Sequence, residues 1–376
     1  MQHTTSTASG ESTPRLLSLD ALRGLLMVLM ALDHASLFIA GVHPSPEIWS
    51  APLPRYAGAL PFLTRLVTHL AAPGFAFLLG ASLVLFADAR GRRGWSRATI
   101  ARYIVSRGLL LIALQLLVEN PAWQLGQPFR ATPIYLGVLY ALGGATLAGA
   151  ALVWLPALAQ LALGLAAIGL TLAAVPPGLD PIALSLPRAL LLTPGQAGPL
   201  LVRYPLLPWL GVACLGMAFG RWRLRDRAWA YRGAGLIGAV MLILFVAVRL
   251  IGGFGNIRLL ETPDWIGFLN VVKYPPSLPF LLLTLGLNLL LLALFSRVAE
   301  RSWVRPLLVL GRRPLFFYVA HLYLYGLLGL LLAPDGVGLL RMYPVWLAGL
   351  AVLLLLCRWF GAWQRRRPPE SLWRLI

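Results

Sequence analysis

The segment Ser18-Leu19-Asp20-Ala21-Leu22-Arg23-Gly24 opens an apolar run that ends in Asp33-His34. A charge at bilayer depth costs about 3 kcal/mol unless it faces a partner or a cavity, so ionisable residues in such a run are functional candidates. At about 100° per residue, Arg23 and His34 return to within about 20° of the same helix face, about 16 Å apart along the axis. One helix is therefore predicted to present a guanidinium and an imidazole on one side.

The composition excludes a soluble globule. Of the 376 residues, 59% are hydrophobic and 12% are charged, and the mean hydropathy is +0.77. This leaves too little polar surface to cover a soluble protein. The net charge of +19 comes from arginines, with Lys273 as the sole lysine, and these arginines cluster in short loops between apolar runs. That distribution indicates membrane topology and argues against nucleic-acid binding. The fold class is therefore predicted to be an all-α polytopic helix bundle in a lipid bilayer.

Apolar runs bounded by Arg, Pro or Gly predict about ten transmembrane helices. Arginines concentrate in alternate loops, which places both termini in the cytoplasm. Residues 1–14 are predicted to be a disordered cytoplasmic tail, 15–361 the membrane domain and 362–376 a basic cytoplasmic tail. The long outer loops at 42–61, 175–200 and 253–275 are expected to form the rim of a site. The predicted helices are 17–41, 62–87, a short third helix at 104–119, 133–152, 155–174, 201–220, 233–252, 276–296, 307–333 and 343–361.

Histidines within the predicted spans are candidate bases, because a neutral imidazole accepts a proton near pH 7. His34 acts either as such a base or as a polar core residue bonded to a neighbouring helix. His69 shares a helix face with Arg65. Both His69 and His321 either line a cavity or only fill it. Asp33 and His69 are the two alternatives for the residue that sets the tautomer of His34.

Arginines at the predicted cytoplasmic ends of two helices are candidates for an anion site. Arg23 pairs with Asp20, either as an orienting salt bridge or as part of that site. Arg102 and Arg107 lead into the third predicted helix, where a guanidinium is expensive and well suited to two-point phosphate binding. Arg23, Arg102 and Arg107 are therefore predicted to bind the phosphates of a cytosolic donor.

Five segments, in order along the chain, resemble the transmembrane acyltransferases, a group that includes the acyltransferase-3 proteins. Their details are most similar to the bacterial, formerly uncharacterised branch of the heparan-α-glucosaminide N-acetyltransferase group. The similarity runs from about residue 15 to residue 360. The segments are the Arg23–His34 pattern, 70–80 (LAAPGFAFLLG), 203–211 (RYPLLPWLG), 273–278 (KYPPSL) and 311–321 (GRRPLFFYVAH).

The resemblance implies an integral membrane enzyme, expected in the bacterial inner membrane. It moves an acyl group, usually acetyl, from cytosolic acyl-CoA to a hydroxyl or amine of a sugar or glycan on the outer side. The length of the extended pantetheine arm of CoA is of the same order as the distance of about 16 Å between Arg23 and His34. A thioester held at Arg23 and Arg107 would reach His34, acting as base or as transient acyl carrier.

The acceptor would be bound on the outer side. Lys273 either belongs to a helix-start device, because Tyr-Pro-Pro forces an extended chain, or contacts an acidic acceptor. Glu119 and Asp264 are candidates for binding sugar hydroxyls or an amine, and His321 is a further acceptor-binding candidate. The scattered histidines fit no metal-ligand spacing, so no metal is expected.

Two departures from the family pattern bear on the site. The lysosomal members carry an extra luminal domain before the first helix, where this chain has a short tail. They also tend to have Asn at the position of His34, with the catalytic histidine in the first luminal loop. His43 is the nearest counterpart in this sequence, so the catalytic histidine is either His34 or His43.

Two other function classes fit an intramembrane set of Asp, Arg and His. A transporter uses such residues for proton or solute coupling, although no inverted repeat is detectable. A non-catalytic scaffold has little reason to bury His34, His69 and Arg107. The sequence leaves the oligomeric state open, a homodimer included.

Overall fold

The computed structural model describes residues 16–42, 47–125, 133–175 and 184–368. Of these described residues, 74% are helical. Its α-helices, in chain order, are α1 Leu17–Phe38, α2 Ala59–Thr68, α3 Ala71–Gly91, α4 Arg97–Leu114, α5 Asn120–Trp123, α6 Val138–Leu152, α7 Ala157–Ala174, α8 Leu186–Leu191, α9 Leu206–Arg225, α10 Arg227–Ile251, α11 Trp265–Leu269, α12 Leu278–Val298, α13 Arg305–Gly311, α14 Pro314–Leu332 and α15 Gly338–Arg365.

Eight helical segments of the described chain are long and apolar enough to cross a membrane. This confirms an all-α polytopic bundle. The count of ten stays a prediction, because α6 is short and α9 ends in an arginine-rich turn. The cytoplasmic location of both termini, which depends on that count, also stays a prediction. The eight segments are Leu17–Phe38, Ala59–Gly91, Arg97–Trp123, Ala157–Ala174, Arg227–Ile251, Leu278–Val298, Pro314–Leu332 and Gly338–Arg365.

The third predicted helix is longer than expected. It starts at Arg97, capped by the Ser96 hydroxyl, and continues through a π-helical turn, Gln115–Glu119, into α5. The predicted helix was too short because its bounds followed the apolar run alone. Arginine interrupts an apolar run but is a good helix former, so the helix extends beyond that run.

A small three-stranded sheet was not predicted. Strands β1 Ile134–Leu136, β2 Gly195–Ala197 and β3 Leu200–Val202 pair in the order β1-β3-β2, with β1 parallel and β2 antiparallel to β3. As a result, α6 and α9 begin later than the apolar runs do. Runs of three residues are too short for a period of two to show in the sequence.

The second predicted span is interrupted near its outer end. Helix α2 ends at Thr68 and α3 begins at Ala71. Pro73 explains the position of the break, because its ring clashes with the carbonyl of the residue four places earlier, His69. The break separates α2 from α3, and α3 packs beside α1.

Helix α1 lies at the centre of the bundle and crosses α13 at backbone contact. A side chain at Gly24 would lie 2.0 Å from the carbonyl oxygen of Leu307, and one at Gly311 would lie 1.9 Å from that of Asp20. Only glycine permits so close an approach at these two positions. The crossing fixes Arg23 next to α13.

The described parts of the outer loops, which the sequence predicts to form the rim of a site, contact one another. The backbone N–H groups of Lys273 and Tyr274 donate to the Glu47 carbonyl at 3.0 and 2.9 Å. The indole of Trp49 donates to the Pro194 carbonyl at 2.8 Å, and the Asn270 amide donates to the carbonyl of residue 54 at 3.0 Å. These bonds form a cap over one end of the bundle.

Candidate active site

A cavity of about 420 Å³ opens beneath this cap and contains His34. We call it the outer cavity. Helices α1, α2, α3, α5, α6 and α14, the Gln115–Glu119 turn and the segments around β1, β3 and Lys273 supply its walls. Its polar or aromatic lining residues are Asp33, His34, Arg65, Thr68, Phe75, Glu119, Asn120, Trp123, Gln124, Tyr135, Arg203, Tyr204, Lys273, Tyr274 and Tyr318.

A second cavity of about 400 Å³, which we call the inner cavity, lies beside the N-terminal half of α1, where Arg23 stands. Ser82, Tyr103 and Gln364 line it together with four arginines. The arginines are Arg23, Arg107, Arg312 and Arg313. No carboxylate occurs among its lining residues. Such a concentration of guanidinium groups suits a ligand with several phosphates.

The two cavities adjoin on one side of α1. Phe75, Val138 and Tyr318 line both of them, and we call these three residues the collar. Arg23 therefore faces the inner cavity and His34 the outer cavity, about 16 Å apart along an unbroken helix. The predicted placement of the two residues along one wall is what the structure has.

Arg23 is held by three neighbouring groups. It donates to the Asp20 carboxylate at 2.9 Å, to the Gly311 carbonyl at 3.1 Å and to the Ser82 hydroxyl at 3.0 Å. The Asp20–Arg23 pair expected from the sequence is therefore present, and Arg312 lies 3.6 Å from the same carboxylate. The pair orients Arg23 at the cavity wall, so the two interpretations of it are compatible.

His34 is paired with His321 of α14. The Nδ1 atom of His34 lies 2.7 Å from Nε2 of His321, and the rings are stacked. Nδ1 of His321 lies 3.0 Å from the Phe317 carbonyl, which can only accept. This pattern assigns a proton to Nδ1 of His321, leaves its Nε2 as an acceptor, and assigns a proton to Nδ1 of His34.

That tautomer places the basic lone pair of His34 on Nε2. His34 lines the outer cavity, whereas His321 is completely buried and lies outside the lining of both cavities. The sequence proposed His321 as an acceptor-binding residue and Asp33 or His69 as the partner of His34. The structure instead puts His321 in the partner position, because α14 packs directly against α1.

Asp33 and His69 belong to a different network, centred on Arg65. The Arg65 guanidinium donates to Asp33 at 2.5 Å and, through two nitrogens, to the Glu47 carboxylate at 2.7 Å each. His69 Nε2 lies 3.3 Å from the same carboxylate, and Thr68 donates to Asp33 at 3.0 Å. His69 contributes no surface to the outer cavity. It anchors the cap, while Asp33 and Arg65 line the cavity floor.

Glu47 is completely buried in this network. Burial alone would raise the pKa of its carboxyl, but the Arg65 charge and hydrogen bonds, with His69, hold that pKa well below its ordinary value. The carboxylate therefore stays ionised at neutral pH. It ties the first outer loop to the helix that carries Arg65.

Glu119 projects into the outer cavity from the π-helical turn. The Trp123 indole donates to its Oε1 at 3.1 Å, and its Oε2 is buried without a hydrogen-bond partner among the described residues. The same Trp123 packs edge-on against His34, with ring centroids 5.2 Å apart. π-helical turns frequently occur at functional sites. An unpartnered buried carboxylate oxygen near His34 is suited to bind a hydroxyl or an amine.

The neighbouring residues of the turn hold Glu119 in place. Gln115 accepts from the backbone N–H groups of Gly137 and Tyr140 at 3.1 and 3.2 Å, at the start of α6. Asn120 accepts from the Tyr135 N–H at 2.9 Å. These bonds fix the turn to β1 and α6, and hence fix the position of the carboxylate.

Lys273 lines the outer cavity, and its ammonium lies 5.1 Å from the centroid of the Tyr274 ring. The helix-start interpretation of this segment also holds, because the Ser277 hydroxyl accepts from Phe280 N–H at 3.3 Å and caps α12. The Tyr274 hydroxyl lies 3.2 Å from that of Tyr204. Lys273, Tyr204 and Tyr274 together form an aromatic and cationic wall of the outer cavity.

Besides His69 and His321, two predicted site residues lie outside the lining of both cavities. Asp264 is exposed and caps the short helix α11 by accepting from Gly267 N–H at 2.7 Å. Arg102 is exposed and lies outside the lining of the inner cavity, although Arg107, five residues further along α4, lines it. Five residues of helix amount to about 500°, which turns Arg102 about 140° away from Arg107. His43, the alternative catalytic histidine, lies outside the described residues.

Sequence reasoning missed Glu47, Arg312 and Arg313 as site residues. The two arginines stand in the Gly-Arg-Arg-Pro segment that carries the family resemblance, so a signal existed. Glu47 had none, because a single carboxylate in an outer loop normally indicates solvent exposure. Among the described residues, no group of three or more His, Cys, Asp or Glu side chains is arranged to hold a metal ion.

Comparison with known families places the chain. The family model described as heparan-alpha-glucosaminide N-acetyltransferase, catalytic, matches residues 15–252, which include α1, the collar residues Phe75 and Val138, and Arg107. No curated protein matches the chain. Since the matched region covers more than half of the chain, the protein belongs to the heparan-alpha-glucosaminide N-acetyltransferase family, a family of membrane acetyltransferases.

Proposed function

We propose that this protein transfers an acetyl or other acyl group from acyl-CoA in the inner cavity to a hydroxyl or amine of a sugar or glycan in the outer cavity. One observation carries the proposal: the two cavities adjoin at the collar, with four arginines on one side and His34 on the other. A donor with phosphates at one end and a thioester at the other has this polarity.

The donor is oriented by charge. Its phosphates bind Arg23, Arg107, Arg312 and Arg313, and the Ser82–Arg23 bond keeps one guanidinium at the wall. The pantetheine arm then runs past Phe75 and Tyr318 toward His34, over about 16 Å of helix rise. Apolar collar side chains suit an uncharged arm and exclude the phosphates.

The acceptor is activated by His34. Its Nε2 takes the proton from the acceptor hydroxyl or amine as the oxygen or nitrogen attacks the thioester carbonyl. The carbon–sulfur bond breaks, and His34 gives the proton to the departing sulfur, so that CoA leaves as a thiol. His321 acts through His34 as a positioning residue, since it holds the proton-bearing Nδ1 in place.

Glu119, Lys273 and the tyrosine wall bind the acceptor. Oε2 of Glu119 accepts from a sugar hydroxyl or an amine, and Tyr135, Tyr204 and Tyr274 supply flat surfaces for a sugar ring. Lys273 and Arg203 suit an acidic group on that acceptor. The same cavity then holds nucleophile, base and thioester together, which supplies the proximity that acyl transfer needs.

The test is release of CoA by the purified full chain in proteoliposomes. With radiolabelled acetyl-CoA and a panel of amino and neutral sugars, we expect saturable release that depends on one of the sugars, together with a labelled sugar product. His34→Ala should lower the rate by about 100-fold or more while the melting temperature is retained. Full activity in that variant would remove the proposal.

A covalent route through an acyl-histidine differs in its kinetics. If His34 carries the acyl group, acid quenching traps label on the protein in the absence of a sugar, and a burst of one CoA per chain precedes turnover. If His34 is only a base, no label is retained. Uptake of unmodified sugar by the same vesicles, without CoA release, would indicate a transporter instead.

A further inference from the structure

A separate pocket lies on the arginine-rich side of the bundle, outside both cavities. It has a volume of about 460 Å³ and is formed where the end of α3, the start of α4, the α6–α7 turn and the end of α9 meet. We call it the Trp154 pocket. Its polar and aromatic lining residues are Asp88, Arg92, Arg97, Trp154 and Arg221.

The charges in this pocket do not balance. Arg92 donates to Asp88 at 2.7 Å, which neutralises the single carboxylate of the lining. Arg97 and Arg221 remain as two further guanidiniums in the lining, which contains no second carboxylate. Two like charges at one pocket are stabilised by an anion between them, and a phosphate group offers the geometry that a guanidinium fork recognises.

The two arginines are also held in place. The Arg97 guanidinium lies 5.2 Å from the centroid of the Trp154 ring, and stacking of this kind leaves the N–H edge available to a ligand. Arg221 donates one terminal nitrogen to the Val153 carbonyl, while its Nε is buried without a hydrogen-bond partner among the described residues. The bond to Val153 therefore fixes the charge of Arg221 at the pocket wall.

The pocket also borders the lipid-facing surface. Helix α7 starts three residues after Trp154, and its Leu158, Leu161 and Leu165 are exposed at the spacing of one helix face. Acyl chains packed against these leucines would end close to Trp154. An occupant with a phosphate head and apolar chains fits both surfaces, whereas a soluble phosphate uses only one.

We propose that the Trp154 pocket binds the phosphate headgroup of an anionic phospholipid. The phosphate lies between Arg97 and Arg221, Trp154 packs at the glycerol level, and the acyl chains lie along α7. This site is independent of the proposed transfer reaction, because none of its charged residues lines the inner or outer cavity.

Native mass spectrometry of the full chain in detergent tests the site. Titration with phosphatidylglycerol should give one tightly bound lipid, and phosphatidylcholine with the same chains should bind more weakly. In Arg97→Gln/Arg221→Gln, phosphatidylglycerol affinity should fall about tenfold, as expected for lost charge-assisted contacts. The matched control Arg102→Gln/Arg225→Gln removes the same charge from the same two helices outside the pocket, and it should bind phosphatidylglycerol as the wild type does.

Several results overturn the proposal. They are equal affinity of the wild type and Arg97→Gln/Arg221→Gln, equal binding of the two lipids, or an equal loss in the control variant. Displacement of the lipid by equimolar inorganic phosphate would assign the pocket to a soluble phosphate instead. Should loss of the Arg221–Val153 bond unfold the double variant, Arg97→Gln alone, with an exposed side chain, carries the same test.

Discussion

His34 and His321 form a direct imidazole pair, with Nδ1 of the first 2.7 Å from Nε2 of the second. Neither ring could have been assigned a tautomer from its own position. The carbonyl of Phe317 settles both, since it can only accept and so fixes the proton of His321. Two hydrogen bonds in series, from His34 to His321 and from His321 to Phe317, therefore leave Nε2 of His34 as its unprotonated nitrogen.

Substitution of His321 should separate positioning from packing. In His321→Gln, the side-chain amide oxygen can accept from Nδ1 of His34, whereas in His321→Leu nothing can. We expect kcat to fall by about tenfold or more in the leucine variant and by less in the glutamine variant, with KM for acyl-CoA unchanged in both. The pH profile of kcat should shift in the leucine variant only. An equal fall of kcat in the two variants, with no shift in the pH profile of kcat, would mean that His321 only fills space.

Arg107 and Arg102 offer a matched comparison on one helix. Arg107 lines the inner cavity and Arg102 does not. Arg107→Gln should raise KM for acyl-CoA about tenfold, the equivalent of about 1.4 kcal/mol for one charge-assisted phosphate contact. Arg102→Gln should leave KM within about twofold of the wild type. A larger effect from Arg102 would restore the prediction made from the sequence and count against the inner cavity as the donor site.

The collar residue Phe75 tests whether acyl transfer passes between the cavities. A larger ring in Phe75→Trp should obstruct the acyl arm and lower kcat about tenfold or more through misplacement of the thioester. Binding of CoA without an acyl group, measured by isothermal titration calorimetry, should not change, because the arginines are untouched. Phe75→Leu keeps the passage open and is the control. Unaltered kcat in the tryptophan variant contradicts a route through the collar.

Part of the candidate site could be predicted from one helix. The eleven-residue spacing of Arg23 and His34 determines their common face wherever α1 is unbroken, and Asp20 lies within reach of Arg23 by the same periodicity. Arg107 was identified by its cost in an apolar run. Local periodicity and bilayer energetics were sufficient for these residues.

Contacts between distant segments could not be predicted in this way. The pairing of His34 with His321 depends on how α14 packs against α1, and helical periodicity contains no information about which helices are neighbours. Asp264 was assigned to the acceptor because of its place in an outer loop, yet Asp is also a common helix N-cap. Glu47 was overlooked because its partners, Arg65 in α2 and His69 just after α2, come later in the chain.

The Glu47 network should make the stability of the cap depend on pH in a definite direction. Because the folded pKa of Glu47 is held well below the ordinary value of 4.5, the unfolded chain binds a proton first as the pH falls. The stabilising contribution is therefore complete above pH 4.5, roughly, and is lost as the pH falls toward the folded pKa.

Glu47→Gln removes this contribution and keeps the size of the side chain. At pH 7 it should lower the free energy of unfolding by about 3 kcal/mol, since it breaks a buried ion pair. The difference in melting temperature between the wild type and Glu47→Gln should stay constant from pH 8 to pH 5, roughly, and narrow at more acidic pH. Comparison with this variant cancels the titration of the other carboxylates. A difference that instead narrowed on going from pH 5 to pH 8 would show that the carboxyl is protonated in the folded protein, and that Arg65 does not hold it as an ion pair.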